Sequence, residues 1–318
     1  MYLCVNANAA IDKTVVVPAF RLGEIHRPER VVQLPGGKGI NVARALQTLG
    51  ETALVTGWAG GFAGDFIAAG LQSEGIAAEF VQCPFESRTC LSILDPERGA
   101  LTELYERGEA VPAEQAAELE ALFARRLAGA EYVTVSGALS PGVPPDFYAR
   151  LLRQARAVGV PAALDCSGPA LRLGLEQGQP ALVKPNQAEL QQLLERPLDG
   201  PAAQAAAARE TAARYGVVVA LSLGAQGAVA AEPGGRAWWA RPPRIEVVSA
   251  VGSGDALLAG LAQGLAHGLD LPEALRRGVA AGTANALSVG AGRFSRPDFE
   301  RVLAGVTIEA VSFTMENI

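Results

Sequence analysis

Ser249-Ala250-Val251-Gly252-Ser253-Gly254-Asp255 is the stretch around which the rest of the chain is organised. An apolar pattern typical of a buried strand precedes it, with Ile245, Val247 and Val248. A run that is apolar on nearly every face, from Ala256 to His267, follows it as an interior helix would. The sequence therefore predicts a turn from strand to helix, with two glycines in three residues.

A turn of this kind suits the binding of negative charge. The free N–H groups of a helix start lie at the positive end of the helix dipole, and glycines let an anion approach the main chain closely. Asp255 adds a carboxylate at the helix mouth, where the dipole favours the ionised form. Such a carboxylate can accept a proton from a hydroxyl while the N–H groups stabilise a transferring phosphoryl group.

On these residues alone, two other interpretations stay open. Asp255 would also serve as a simple helix cap, a common role that stabilises a helix by about 1 kcal/mol. A dinucleotide-binding loop is the second, but it requires Gly-x-Gly-x-x-Gly, and Leu257 occupies the position of the third glycine.

Length and composition narrow the class of protein. A chain of 318 residues suits one large α/β domain or two small ones. It contains no apolar stretch of membrane-spanning length and opens with no basic-apolar leader, so we expect a cytoplasmic protein without membrane contact. The net charge of −6 argues against nucleic acid as the main partner. Two histidines leave little room for a His-based metal site or a Ser-His-Asp triad.

The choice of basic residues is also informative. Of 27 basic residues only three are lysines, Lys13, Lys38 and Lys184. A compact ammonium group serves different purposes from a guanidinium. A segment that contains one of the few lysines is therefore a stronger candidate for a functional site. Two of the three lysines fall in segments that look like motifs, Gly36-Gly37-Lys38-Gly39-Ile40-Asn41 and Lys184-Pro185-Asn186.

The first third of the chain predicts a strand, a helix and a small separate sheet. A buried strand is predicted over 2–8, and Asp12 lies just beyond its carboxyl end. Open α/β sheets bind ligands at that edge, so Asp12 is a candidate ligand-binding residue. A turn or capping role explains Asp12 equally well. The glycine-rich segment at 36–41 leads into a helix over 42–49, with Asn41 facing the ligand from its first turn. The small sheet, which we expect to act as a lid, would contain strands near 14–17, 30–34, 89–94 and 100–104.

From residue 112 onward, predicted helices and strands alternate, and polar or glycine-rich segments repeatedly follow the strands. This pattern predicts a doubly wound parallel sheet, which gathers such residues at the carboxyl ends of its strands. The segments are Ser136-Gly137, Lys184-Pro185-Asn186 and Gly224-Ala225-Gln226-Gly227.

Five motifs, in order along the chain, resemble those of the PfkB (ribokinase-like) carbohydrate kinases. They are Pro35-Gly36-Gly37-Lys38-Gly39-Ile40-Asn41-Val42-Ala43, Ser136-Gly137-Ala138-Leu139-Ser140-Pro141-Gly142-Val143-Pro144, Lys184-Pro185-Asn186, Ser222-Leu223-Gly224-Ala225-Gln226-Gly227 and Val251-Gly252-Ser253-Gly254-Asp255. The resemblance implies one ribokinase-like domain over 1–318, an α/β fold with a doubly wound, mostly parallel sheet flanked by helices. It also implies a β lid formed from about 12–34 and 87–107.

Within that family the chain is most similar to the kinases of phosphorylated ketohexoses, 1-phosphofructokinase and tagatose-6-phosphate kinase. The segments that carry this likeness are Asn8-Ala9-Ala10-Ile11-Asp12, Gly23-Glu24-Ile25-His26-Arg27, Arg88-Thr89 and Leu101-Thr102-Glu103-Leu104. Three departures from the usual pattern are Ala9 in place of Pro, Ser253 in place of Ala, and Ser249-Ala250 where Ser/Asp-Thr is common. We expect Ser253 to keep its N–H in the anion hole and Ala9 to alter the turn that aims Asp12.

Individual roles follow from the resemblance, residue by residue. Asp255 is implied as the base, with Gly252, Ser253 and Gly254 as the anion hole, and Glu189 is implied near a bound Mg²⁺. The implied substrate-binding residues are Asp12, Arg27, Gly36, Gly37, Lys38, Asn41, Arg88 and Ser136. The implied nucleotide-binding residues are Lys184, Asn186, Ser222, Gly224, Gly227 and Asn285.

The leading prediction is an ATP-dependent, Mg²⁺-assisted kinase that converts fructose 1-phosphate to fructose 1,6-bisphosphate and forms a homodimer through the lid. A tagatose-6-phosphate kinase or another PfkB sugar kinase is the alternative. An NAD(P)-dependent oxidoreductase is disfavoured by Leu257, and a sugar-binding protein without catalysis is disfavoured by Asp255. The sequence leaves open the preferred sugar phosphate, the nucleotide, the oligomeric state and a monovalent-cation site near 249–251 and 286–292.

Overall fold

The computed structural model describes residues 1–311, which form two β-sheets and ten α-helices. The strands are β1 (Tyr2–Asn6), β2 (Ala10–Val16), β3 (Arg30–Gly36), β4 (Ala53–Ala59), β5 (Ala77–Gln82), β6 (Arg88–Asp95), β7 (Ala100–Tyr105), β8 (Tyr132–Ser136), β9 (Ala162–Asp165), β10 (Leu182–Val183), β11 (Val218–Ser222), β12 (Ala228–Ala231), β13 (Ala237–Arg241) and β14 (Thr307–Ala310). The helices are α1 (Lys38–Thr48), α2 (Gly61–Ser73), α3 (Ala113–Leu127), α4 (Phe147–Ala157), α5 (Gly168–Leu173), α6 (Gln187–Leu194), α7 (Gly200–Tyr215), α8 (Ser253–Ala266), α9 (Leu271–Asn285) and α10 (Arg296–Gly305). In this part of the chain, none of the helices has the length and apolar character needed to cross a membrane.

The larger sheet has the strand order β14-β13-β12-β11-β10-β9-β8-β1-β4-β5. The pairs from β11 to β5 are parallel, and β12, β13 and β14 extend the sheet as antiparallel strands. Strand β1 is buried throughout, with Leu3 and Val5 in one apolar core and Tyr2 and Cys4 in the other. Helices therefore cover both faces, as a parallel sheet requires, and the predicted doubly wound fold is confirmed.

The smaller sheet has the order β3-β2-β6-β7. It is the sheet that the sequence predicts to act as a lid, and it is called the lid sheet below. Leu34, Asp12, Cys90 and Tyr105 form one row across its four strands. Asp12 therefore lies inside β2, which begins at Ala10, and not in a turn after the first strand as the sequence suggested. Since alternate residues of a strand point to one face, its side chain shares a face with Cys90 and Tyr105.

The prediction of a buried strand at Ile245, Val247 and Val248 is wrong. Residues 242–248 form no strand, and Val247 and Val248 are 58% and 48% exposed. Strand β13 ends at Arg241, and the two prolines that follow, Pro242-Pro243, have no N–H to donate to a neighbouring strand. Ile245 and Val247 instead line a cavity described below.

Helix α2 begins at Gly61. The Glu86 carboxylate accepts hydrogen bonds from the N–H groups of Phe62 and Ala63. Because this capping group comes from a distant part of the chain, local sequence gives no signal for the helix start. Strands β5 and β14 were also missed by sequence reasoning.

Candidate active site

The stretch at 249–255, called the elbow below, leads directly into α8. Gly252 is the residue before the helix and has a left-handed backbone, with φ 80°. A Cβ at this position would lie 2.6 Å from the Cα of Ala291. Both the backbone conformation and the close packing therefore require glycine.

The amides of the elbow differ in their availability. The Ser253 N–H donates to the carbonyl oxygen of Ala250 at 3.2 Å, so it is not free for a ligand as the sequence suggested. Within residues 1–311 the N–H groups of Gly252, Gly254 and Asp255 have no protein acceptor. These three amides, at the positive end of an interior helix, are the ones that can stabilise an anion.

Asp255 is buried, with 6% of its surface exposed, and its Oδ2 accepts a hydrogen bond from Asn41 Nδ2 at 2.9 Å. Burial raises the pKa of Asp255 to about 6, although Lys38 and the Asn41 hydrogen bond both favour the ionised form. The helix dipole alone suggested the opposite direction, because sequence does not reveal how much water the carboxylate loses. Asp255 is still mostly ionised at pH 7 and has a pKa suited to a general base.

A polar cavity of about 460 Å³ lies between the elbow and the lid sheet. Asp12, Cys90 and Arg88 line it from the lid sheet, and the elbow lines it from the opposite side. Burial raises the pKa of Asp12 to about 6, against the influence of the nearby Arg44 and Arg88. Asp12 and Asp255 thus face this cavity from opposite sides as carboxylates that can bind hydroxyl groups.

The glycines at 36–39 make room for this cavity. Gly37 has φ 113°, and a Cβ there would lie 2.5 Å from Asn6 Oδ1. A Cβ on Gly36 would lie 2.1 Å from the Asp12 carboxyl carbon, and one on Gly39 would lie 2.5 Å from the Val5 carbonyl oxygen. The glycines therefore let α1 start directly against the end of β1 and leave space for the Asp12 carboxylate.

Lys38 and Lys184 meet at a third carboxylate, Asp165, at the carboxyl end of β9. Their Nζ atoms lie 3.0 and 3.1 Å from its Oδ1 and Oδ2, and its side chain is fully buried. Burial alone would lower the pKa of Lys38, but Asp165 and Asp255 outweigh it and raise that pKa. A Cβ on Gly254 would lie 3.5 Å from Lys184 Nζ, so a cation stands beside the elbow amides.

A second cavity, of about 660 Å³, lies on the other side of the elbow. Its walls include apolar side chains from the 242–250 segment, α8 and α9, such as Ile245, Val247, Leu257 and Val279. Three residues line both cavities, namely Asn186, Ser222 and Gly254. The amides that can stabilise an anion therefore lie where the apolar cavity meets the polar one. This position suits the transfer of a negatively charged group from a ligand in one cavity to a ligand in the other.

The model of the pfkB family carbohydrate kinases matches residues 2–298 of the chain. The chain belongs to the PfkB family of carbohydrate kinases. It is therefore a phosphotransferase that acts on a sugar hydroxyl group.

Solved structures agree with this assignment. Phosphofructokinase-2 from Escherichia coli in complex with fructose-6-phosphate is 30% identical, with a TM-score of 0.87, and the match covers 96% of this chain and 98% of that one. The tetrameric inhibited form of the same enzyme gives 30% identity and a TM-score of 0.88 over 95% and 98% of the two chains. A possible 1-phosphofructokinase from Thermotoga maritima gives 25% identity and a TM-score of 0.88 over 98% and 100%.

Most of the site residues predicted from the sequence of this PfkB kinase come together at the two cavities. Those that line the polar cavity are Asp12, Gly37, Lys38, Asn41, Arg88, Lys184, Asn186, Ser222, Gly252, Gly254 and Asp255. Those that line the apolar cavity are Asn186, Ser222, Gly224, Gly227, Ser253 and Gly254.

Five predicted residues do not line either cavity. Arg27 is exposed in the loop between β2 and β3, and Ser136 is buried within the sheet. Gly36 lies behind the Asp12 carboxylate. Asn285 is fully buried beneath the elbow, where its Nδ2 donates to the Val251 carbonyl oxygen at 2.8 Å. Asn285 thus holds the elbow in place instead of reaching the cavity surface.

The fifth residue, Glu189, is part of a capping box at the start of α6. Its Oε2 accepts from the Asn186 N–H at 2.8 Å, and its own N–H donates to Asn186 Oδ1 at 2.9 Å. The other carboxylate oxygen remains available, and the described residues contain no cluster of three or more metal-ligating side chains. The free carboxylate oxygen of Glu189 is a ligand type that suits Mg²⁺, which commonly binds through one or two carboxylates together with substrate phosphates and water.

Sequence reasoning missed Asp165, Glu103 and Tyr105 as residues of the site. Asp165 had a usable signal, because it ends a buried strand in the same way as the segments that were noticed. Glu103 and Tyr105 line the polar cavity from β7, a strand at the edge of the lid sheet. Nothing in their local sequence indicates which face of that strand meets the cavity.

Proposed function

We propose that this PfkB kinase transfers the γ-phosphoryl group of ATP to a phosphorylated ketohexose, with fructose 1-phosphate as the acceptor and fructose 1,6-bisphosphate as the product. The observation that carries the proposal is the position of the elbow amides at the junction of the two cavities. The apolar cavity suits a nucleobase, and the polar cavity suits a hydroxylated, anionic sugar.

In the proposed reaction, Asp255 accepts the proton of the acceptor hydroxyl while the hydroxyl oxygen of the sugar bonds to the γ-phosphorus. The bond from that phosphorus to the bridging oxygen breaks, and ADP leaves. The amides of Gly252, Gly254 and Asp255 stabilise charge on the phosphoryl group, and Lys184 stands beside them. Glu189 would help to hold a bound Mg²⁺, which would neutralise the phosphates of the nucleotide.

Arg88 is the residue that favours a phosphorylated substrate. Its Nη1 donates to the Glu106 carbonyl oxygen at 2.8 Å and its Nη2 lies 3.4 Å from the Asn8 carbonyl oxygen, which fixes the guanidinium in the cavity wall. Nη1 and Nη2 each keep one further N–H for a phosphate, whereas Nε is buried. Bonds of this charge-assisted kind are worth about 1.5–3 kcal/mol each.

A second acceptor, fructose 6-phosphate, is favoured by one specific observation. The Escherichia coli phosphofructokinase-2 structures match this chain at 30% identity, above the 25% of the Thermotoga maritima protein. Tagatose 6-phosphate is the third acceptor to be compared, because its kinases share the segments that resemble this chain.

The test is an ADP-release assay with ATP and Mg²⁺ against fructose 1-phosphate, fructose 6-phosphate, tagatose 6-phosphate and unphosphorylated fructose. We expect fructose 1-phosphate to give the highest kcat/KM. A preference for unphosphorylated fructose would refute the phosphosugar proposal. Asp255→Asn should lower kcat by about 10²–10⁴-fold with nucleotide binding preserved, and retention of more than about a tenth of wild-type kcat would refute the base assignment.

We also propose that the lid sheet both covers the polar cavity and forms a homodimer. Large apolar side chains are exposed on the lid, with Leu22 and Ile25 91% and 92% exposed and Leu104 57% exposed. Leu104 and Tyr105 are adjacent in β7 and so face opposite sides, and Tyr105 lines the cavity. Light scattering should give a dimer for the wild type and a monomer for Leu104→Asp. A monomeric wild type would contradict the proposal.

A further inference from the structure

Arg44, on α1, is a buried arginine whose side chain connects four parts of the structure. Its Nε donates to Glu74 Oε2 at 2.7 Å, and its Nη2 lies 2.8 Å from the Pro35 carbonyl oxygen and 3.3 Å from Glu74 Oε1. Its Nη1 donates to the Ala291 carbonyl oxygen at 2.8 Å and to Asn41 Oδ1 at 3.2 Å. These five bonds use all five N–H groups of the guanidinium.

One of the five bonds decides the orientation of the Asn41 amide. Because Arg44 can only donate, Asn41 must turn its oxygen toward Arg44 and its NH₂ group toward Asp255. The reverse orientation would set two donors against each other at Arg44 and two acceptors against each other at Asp255. Asn41 is 5% exposed, so few water molecules can reach its amide to replace the lost bonds.

We propose that Arg44 is a positioning residue for phosphoryl transfer, which acts through Asn41 to hold the Asp255 carboxylate ionised and correctly oriented. With Oδ2 bonded to Asn41, Oδ1 of Asp255 is the oxygen left for the acceptor hydroxyl. This inference rests on the proposed role of Asp255 as the base.

The other bonds of Arg44 make the orientation rigid. Ala291 packs against Gly252 of the elbow, and Pro35 lies at the end of lid strand β3. A lysine could keep the charge of Arg44 but could not make five bonds in one plane. Arg293 contacts the same Glu74 carboxylate, with its Nη2 3.0 Å from Oε1, but its side chain is 43% exposed. It therefore provides a matched control.

The test is a double-mutant cycle of Arg44→Lys and Asn41→Leu, with kcat measured against pH for fructose 1-phosphate and for fructose 6-phosphate, each with Mg-ATP. The charged groups around Asp255 are Lys38 on α1, Asp165 at the end of β9 and Lys184 after β10, and all of them stay in place in these variants.

Each single variant should lower kcat by about tenfold and move the acid limb of the profile up by about one pH unit, as the loss of one charge-assisted hydrogen bond predicts. The KM for ATP should not change. The double variant should be within about twofold of Asn41→Leu, because Arg44 then has no amide to orient. Arg293→Met should keep the wild-type profile.

Multiplicative losses in the double variant, or a wild-type acid limb in Arg44→Lys, would overturn the proposal and leave Arg44 with a purely structural role. If Arg44→Lys does not fold, Arg44→Gln replaces it in the cycle. Asn41→Leu is an independent arm, since an unshifted acid limb in that variant alone would also overturn the proposal. An active Asp255→Asn would instead remove the proposed function itself, so the two failures are distinguishable.

Discussion

Replacing Asp165 by Asn tests whether one buried carboxylate organises the two lysines of the site. The substitution keeps the size of the side chain but removes the charge that Lys38 and Lys184 share at 3.0 and 3.1 Å. Removing one partner of a buried ion pair costs about 3–5 kcal/mol. Lys184 is only 4% exposed and cannot regain water, whereas Lys38 is 38% exposed and can do so in part. We therefore expect the low end of the range, about 3 kcal/mol.

The assay is thermal and urea unfolding of the ligand-free protein at pH 7. With an unfolding entropy of about 2 cal/mol/K per residue, this loss lowers the Tm by about 4–5 °C. Asp199→Asn, which alters an exposed carboxylate that makes no side-chain cap bond at α7, is the matched control and should leave the Tm unchanged.

The pH dependence of this loss has a defined sign. Burial opposes the ionisation of Asp165, but Lys184 and Lys38 outweigh it and lower the pKa of Asp165. A folded-state pKa below the unfolded value contributes stability that is complete above about pH 4 and is lost as the pH falls through the folded value. The difference between the wild type and Asp165→Asn should therefore shrink below about pH 4.

The pH dependence of kcat provides a second test of Asp165→Asn, because the charge of Asp165 raises the pKa of Asp255. Its removal should move the acid limb of kcat to lower pH. Equal stability of variant and wild type to within about 0.5 kcal/mol, the size of an ordinary surface substitution, would refute the reasoning. So would an acid limb that moves upward.

Three further substitutions test other parts of the site. Arg88→Ala should raise KM for the sugar phosphate at least about tenfold and leave KM for ATP nearly unchanged, and normal sugar-phosphate binding would contradict its phosphate role. Glu189→Gln keeps a capping box with Asn186, since Gln also accepts at that position, so a several-fold higher Mg²⁺ requirement would report metal binding and an unchanged Mg²⁺ titration would leave only the cap. Gly252→Ala places a Cβ 2.6 Å from the Cα of Ala291 at a residue with φ 80°, so it should lower the Tm. It should also lower kcat by about 100-fold or more, because the anion hole is displaced. A fully active variant would contradict the assigned elbow geometry.

The sequence by itself determined the fold class and identified most of the residues that line the two cavities in the structure. Glycines at the starts of α1 and α8 and polar residues after buried strands are local signals, because backbone freedom and the edge geometry of parallel sheets depend on short segments. The scarcity of lysine pointed to Lys38 and Lys184, which both line the polar cavity, although it could not show that both contact Asp165.

Only the tertiary structure decided how these parts act on one another. Asn41 and Asp255 are 214 residues apart in sequence and 2.9 Å apart at their polar atoms, and no local pattern specifies such a contact. The raised pKa of Asp255 depends on burial, which is a property of the packed chain. The Ser253 amide was predicted to be free, yet it bonds to Ala250, because the path of a turn is set by what packs against it. Local propensity fixes which segments can form a site, and long-range packing fixes the distances, exposures and charges within it.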